Sequence, residues 1–152
     1  MAEGFDRIPD ALVAFMQEPR ITQLTTVDVD SQSPFINVIS WVLAKDVQTV
    51  RLMGDGRSRF VQNIKADERV ALTVLGAGSA WTLYGKAQLL VEKTPGLPLS
   101  LALIEVTDLK VFEVMFWGAK LTQEPGWEVT YPKEQSNRLD QAVYAAMRDF
   151  QP

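Results

Sequence analysis

Gly54-Asp55-Gly56-Arg57-Ser58-Arg59 is the stretch where residue types and spacing come closest to chemistry. The glycines break a strand, Ser58 is a candidate helix N-cap, and two guanidiniums flank the free N–H groups of the first helical turn. Together these make a small anion site. A loop that caps a helix and carries two solvated arginines is the plain alternative, and residue types alone leave both open. Catalysis by side chains is narrowly bounded. With no cysteine and no histidine, the chain has no thiolate nucleophile, no Ser-His triad and none of the commonest metal ligand. The carboxylates Glu92, Glu105, Asp108 and Glu113 fall on different segments and none is paired by local spacing, so no acid–base pair is assigned. Glu105 lies between Ile104 and Val106 and needs a partner if it is buried. No catalytic residue and no metal site is assigned. Chemistry would have to come from carboxylates, Lys, Arg, Tyr, hydroxyls or a bound cofactor.

The elements that position this loop read as follows. Val47–Met53 alternates as a strand leading into it, a helix follows at about 58–66, and Arg69–Leu75 is the strand after that. Upstream, Ile8, Leu12, Phe15 and Met16 predict a short amphipathic helix at about 10–18. Ile21–Val29 is a Thr- and Val-rich strand closed by the turn 30–34. Phe35–Leu43 reads as one strand with two mostly apolar faces, both expected to be covered, and Lys45-Asp46 as the reversal that completes a three-strand meander over 21–53. Downstream, Ala80–Val91 is a long strand with Gly85 inside it, which signals a bulge, a barrel corner or a close backbone. On that strand Tyr84 and Lys86 face outward if Trp81 and Leu83 face inward, giving a surface or dimer face. Leu99–Phe116 suits helix or strand by composition; its Val-rich second half favours a strand from about 102, kinked near Thr107-Asp108. The segment 118–131 reads as a loop, and Leu139, Ala142, Val143, Ala146, Met147 and Phe150 mark a final amphipathic helix. Trp41, Trp81, Trp117 and Trp127 are read as packing or interface residues first. The sum is a mainly β domain, a small antiparallel barrel with peripheral helices. An open antiparallel sheet with helices on one face is the structural rival.

At 152 residues the chain suits one domain, with a barrel at about 20–116 and a C-terminal loop and helix at about 117–150. A net charge of −4 disfavours nucleic acid, which demands a basic face. No apolar stretch approaches the roughly 18 residues of a membrane span, and the N-terminal segment shows no signal sequence, so a cytoplasmic protein is expected.

The order helix, meander, glycine loop, Ser58-Arg59, Asn63-Ile64, ADERVALTV and a strand containing YGKAQ resembles the pyridoxamine 5'-phosphate oxidase-like, FMN-binding split-barrel family over about residues 8–116. The later part, with MFWGAKL and the C-terminal helix, resembles a bacterial subgroup of it, not the oxidase itself. The resemblance implies a split antiparallel barrel with short helices (α+β), two chains pairing as a homodimer, and FMN held in the groove between them. Its ring would lie along the strand matching Ile39 to Leu43, lined by Ser40, Trp41 and Val42. Its phosphate end would meet Met53, Asp55, Ser58 and Arg59. Positions that are basic in the oxidase hold Val38, Leu43 and Phe60 here, and Arg57, Arg59 and Lys65 are the cations available in compensation. The Arg-x-His substrate motif cannot exist without histidine, which argues against authentic oxidase chemistry. Two expectations follow: a homodimeric FMN-dependent oxidoreductase of unknown substrate, or a non-catalytic split-barrel dimer that binds flavin, haem or another planar ligand weakly or not at all.

Overall fold

The computed structural model describes residues 4–152; Met1 to Glu3, the start of the N-terminal segment just discussed, lie outside them. A short helix α1 (Asp10–Phe15) opens the fold. It stops earlier than the periodicity predicts because the Met16 carbonyl is turned to accept the Ala44 N–H at 3.2 Å. Seven antiparallel strands follow: β1 (Thr22–Val27), β2 (Pro34–Ile39), β3 (Val42–Asp46), β4 (Thr49–Asp55), β5 (Arg69–Gly76), β6 (Ser79–Val91) and β7 (Leu101–Glu113). Helix α2 (Arg59–Ala66) lies between β4 and β5, and α3 (Lys133–Asp149) ends the chain.

The strand order is β2-β1-β5-β6-β7-β4-β3, so consecutive β2 and β3 sit at opposite ends of the sheet. This corrects two expectations. Residues 35–43 are not one strand, and 21–53 is not a meander. The chain bends at Ser40-Trp41, where the Ser40 carbonyl accepts the N–H groups of both Arg20 and Val42. That bend carries the backbone from pairing with β1 to pairing with β4, bringing the two ends of the sheet round as a split barrel. The expected cover is also missing from one face of β2: Ile36 and Val38 are 57% and 60% exposed.

Gly85 marks what its position in a strand suggests. The β6–β7 register shifts beside it, Asp108 takes a left-handed φ of 57°, and a Cβ at 85 would stand 2.8 Å from the Thr107 carbonyl. The bulge bends two 13-residue strands without ending them.

Alternation along β3 and β4 feeds two separate apolar layers. Val42, Val50 and Leu52 point into the barrel with Leu24, Leu72 and Leu83. Leu43 and Met53 point outward and are buried under Val143, Tyr144 and Met147 of α3. Helix α3 therefore packs on its own barrel, over β3 and β4.

Candidate functional site

The glycine loop is built differently from a generic phosphate cradle. Gly54 lies at the end of β4, and a Cβ there would fall 2.3 Å from Cζ of Phe60, whose ring is buried beneath it. At Gly56 a Cβ would meet the Glu92 carbonyl at 3.0 Å, and its N–H donates to the Ser100 carbonyl at 3.2 Å. Neither glycine has a positive φ, so both serve close approach rather than a left-handed turn. The turn itself is held by Asp55: its Oδ1 accepts the Arg57 N–H at 2.8 Å and its carbonyl accepts the Ser58 N–H at 2.9 Å.

Ser58 occupies the N-cap position of α2, but its hydroxyl does not cap. This corrects the capping expectation. With the turn closed by Asp55, Ser58 Oγ is buried without a hydrogen-bond partner. The three local cations are all engaged. The Arg57 guanidinium pairs with Asp55 at 3.1 Å, Arg59 with Asp28 at 2.6 Å and Asp30 at 3.0 Å, and Lys65 with Glu92. Four carboxylates thus face three cations. The Arg59 guanidinium, helped by the Ser31 N–H, holds the Asp28 carboxyl far below the usual carboxylate range, and Asp28 in turn raises Arg59. Arg57 lowers Asp55 in the same way, and Lys65 lowers Glu92.

The other expected site residues gather at the bend. The Met53 N–H donates to the Trp41 carbonyl at 3.1 Å, which joins β4 to Ser40-Trp41-Val42. Above them sits Tyr144 of α3. Its hydroxyl accepts the Val42 N–H at 3.2 Å and donates to the Val42 carbonyl at 2.8 Å, with the Ser40 carbonyl 3.2 Å away. The Trp41 indole Nε1 donates to Asp140 Oδ1 at 2.8 Å, also on α3. Val42 and Met53 are buried. The expected residues therefore form two groups along β4, one at the bend under α3 and one at the start of α2. Arg59 leaves both by turning to the β1–β2 connection.

Sequence reasoning passed over four residues that govern this region. Tyr144 adjoins Val143 and lies one turn before Met147, so the helical periodicity that found α3 also reaches it. Asp28 lies near the end of the stretch read as a strand, and Asp30 opens the turn read only as a turn. Arg51 is 1% exposed: its Nε donates to Glu105 Oε2 at 2.9 Å, and Nη1 donates to the carbonyls of Met147 and Phe150 at 2.8 and 2.9 Å. It supplies the partner that Glu105 requires and caps the last turn of α3 from the barrel side.

The family model described as pyridoxamine 5'-phosphate oxidase matches residues 8–97. No curated protein sequence matches the chain. Among solved structures, it resembles a Lactobacillus delbrueckii protein provisionally assigned as a pyridoxamine 5'-phosphate oxidase, with TM-score 0.60 and 16% identity over 71% of this chain and 95% of that one. An F420 reductase aligns with TM-score 0.54 and 19% identity, over 66% of this chain and 94% of that one. HupZ of Group A Streptococcus aligns with TM-score 0.58 and 14% identity, over 74% and 98%. At these identities the likeness is one of fold.

Proposed function

The chain belongs to the pyridoxamine 5'-phosphate oxidase family of split barrels, and within it we propose a binding protein with no catalytic side chain of its own, not an FMN oxidoreductase. The observation that carries this reading is the Tyr144 hydroxyl on the backbone of Ser40 and Val42. A flavin ring along this strand would need those edge groups, and α3 already satisfies them. The positions that are basic in the oxidase are spent as well. Leu43 is packed under α3 and Phe60 under Gly54, while Val38 is an exposed apolar residue. The cations that would compensate are paired with carboxylates, and charge-assisted contacts are what hold a phosphate tightly. The residues at the bend and the loop do not fit a tightly held FMN.

Pairing of two chains belongs to the same reading. The β2 face left bare by the chain itself carries Ile36 and Val38, and Tyr84 on β6 is 50% exposed on the outer side. Burial of that apolar strip favours a homodimer. Val38→Lys is expected to shift sedimentation equilibrium to monomer.

A second reading rests on Ser58. A buried hydroxyl without a partner at a helix start suits a phosphate oxygen, which favours the FMN oxidoreductase. In it the flavin would carry the redox chemistry and the chain would only position it. Visible absorption with added FMN separates the two. No spectral shift at micromolar FMN is expected for the unaltered protein. Tight binding abolished by Arg59→Ala, with turnover of NADH or NADPH, would overturn the proposal.

A further inference from the structure

A groove of about 510 Å³ runs between α3 and the segments that pass over it. One wall is a single helical face, with Gln135, Arg138, Leu139 and Ala142 at the spacing that aligns side chains along a helix. Facing it are Leu99, from the β6–β7 connection, and Tyr131, from the segment that precedes α3, and Trp41 lines the groove as well. These walls are mostly apolar and wet: Leu99 is 47% exposed and Tyr131 39%. Trp41 is held in orientation by its bond to Asp140, and Asp140 is not among the residues lining the groove. At the rim, the exposed Arg138 guanidinium takes part in none of the ion pairs among the described residues.

Taking the chain as a binding protein, as argued above, we propose that this groove is its ligand site and that the ligand is a flat aromatic carboxylate. The ring lies between Leu99, Leu139 and the indole of Trp41, and the carboxylate meets Arg138. The volume falls within the range of about 300–1,000 Å³ common to small-molecule sites, with apolar walls and few polar groups to fix orientation. An unpaired guanidinium beside an apolar slot selects a planar anion over a neutral ring, because its fork donates to both oxygens of a carboxylate. Nothing in the groove would hold a metal or a long phosphate tail.

The probe is 2-naphthoate, measured by isothermal titration calorimetry beside its neutral twin 2-naphthalenemethanol. Saturable binding at one site per chain is expected. Arg138→Gln weakens naphthoate about tenfold or more while leaving the alcohol unchanged, as loss of one charge-assisted contact requires. Leu99→Asp, on an exposed loop, removes binding of both, with circular dichroism and thermal midpoint unchanged. Naphthoate that fails to bind, or that binds regardless of both substitutions, overturns the proposal. So does naphthoate that merely dissociates a dimer which Trp117→Ser also dissociates, since the groove would then be filled by the 98% exposed Trp117 of a second copy. FMN titrations on the same preparations keep the two readings apart. Tight FMN binding overturns the binding-protein reading, whereas naphthoate failing while FMN stays excluded overturns the groove alone.

Discussion

Tyr144 and Val42 exchange two hydrogen bonds: the Val42 N–H donates to the phenol oxygen at 3.2 Å, and the hydroxyl donates to the Val42 carbonyl at 2.8 Å. A side chain thereby completes the edge of β3 that faces away from β4, its one strand partner in the sheet. Tyr144→Phe keeps the ring packing, orphans the Val42 carbonyl and leaves the Val42 N–H with only its bond to the Ser40 carbonyl. A loss of about 2 kcal/mol in urea unfolding is expected, the cost of leaving buried polar groups unmade. Burial also pushes the phenol well above the ordinary tyrosine value. A group whose folded value is raised contributes fully below its unfolded value and loses that contribution as pH rises past it. Stability should therefore fall above about pH 10. The Phe variant should lack this alkaline component.

Arg51 fixes the far end of the same helix. It faces Glu105 across the β4–β7 register and reaches the carbonyls of Met147 and Phe150. Removing it leaves a carboxylate with restricted access to water, beside an uncapped helix end. Arg51→Ala is expected to cost about 3 kcal/mol by denaturant unfolding, within the range for breaking a buried pair. Glu105→Gln retains an acceptor and should cost less. Limited proteolysis should cut α3 first in Arg51→Ala, because the helix is what the guanidinium fastens.

Much of this was legible from residue patterns, and the exceptions share a cause. The helix–loop–strand order, the bulge at Gly85 and the amphipathic α3 follow from local periodicity and turn chemistry, which the final packing obeys. The split at Ser40-Trp41 does not. Apolar residues continue through it on both faces: after the bend β3 lines the barrel with one face and lies under α3 with the other, and before it Ile36 and Val38 are apolar on a face the chain leaves exposed. A pattern apolar on both faces gives no sign of where the backbone turns. Charges failed for a similar reason. Arg57-Ser58-Arg59 reads as free cations in sequence, but Asp28 and Asp30, 31 and 29 residues from Arg59, neutralise one of them through tertiary contact.

That neutralisation gives a prediction with a definite sign. Asp28 is depressed chiefly by its bond to Arg59, so its contribution is full above the ordinary carboxylate value near 3.9 and is lost as pH falls below it. The thermal midpoint should drop more steeply on acidification below about pH 4 in the unaltered protein than in Asp28→Asn. Asp28→Asn also frees Arg59 to serve an external anion. Inorganic phosphate should raise the midpoint of Asp28→Asn more than that of the unaltered protein, and Arg59→Ala added to it should remove the difference. Equal phosphate shifts in both would mean that Asp28 does not restrain Arg59.

Gly54 and Phe60 decide whether the loop is a ligand feature or a packing feature. The ring of Phe60 occupies the space where a Cβ on residue 54 would stand, at 2.3 Å from Cζ, and Phe60 is only 5% exposed. Gly54→Ala should cost about 1–3 kcal/mol, the usual range for overpacking. Phe60→Leu should cost about 1 kcal/mol alone and relieve the clash when combined with Gly54→Ala. The pair would then be non-additive by about 1 kcal/mol or more, measured as a double-mutant cycle in urea. A loop shaped for phosphate predicts the opposite: Gly54→Ala would weaken anion binding with little loss of stability, and Phe60→Leu would not rescue it. Phe60→Lys sharpens the contrast. It returns the basic residue that the oxidase carries, but at a position under Gly54 where an ammonium loses its water without gaining a carboxylate. Destabilisation of about 3 kcal/mol is expected, with no gain in phosphate or FMN affinity. A stable Phe60→Lys protein that binds FMN would instead mean that the loop is a phosphate site that lost only one charge.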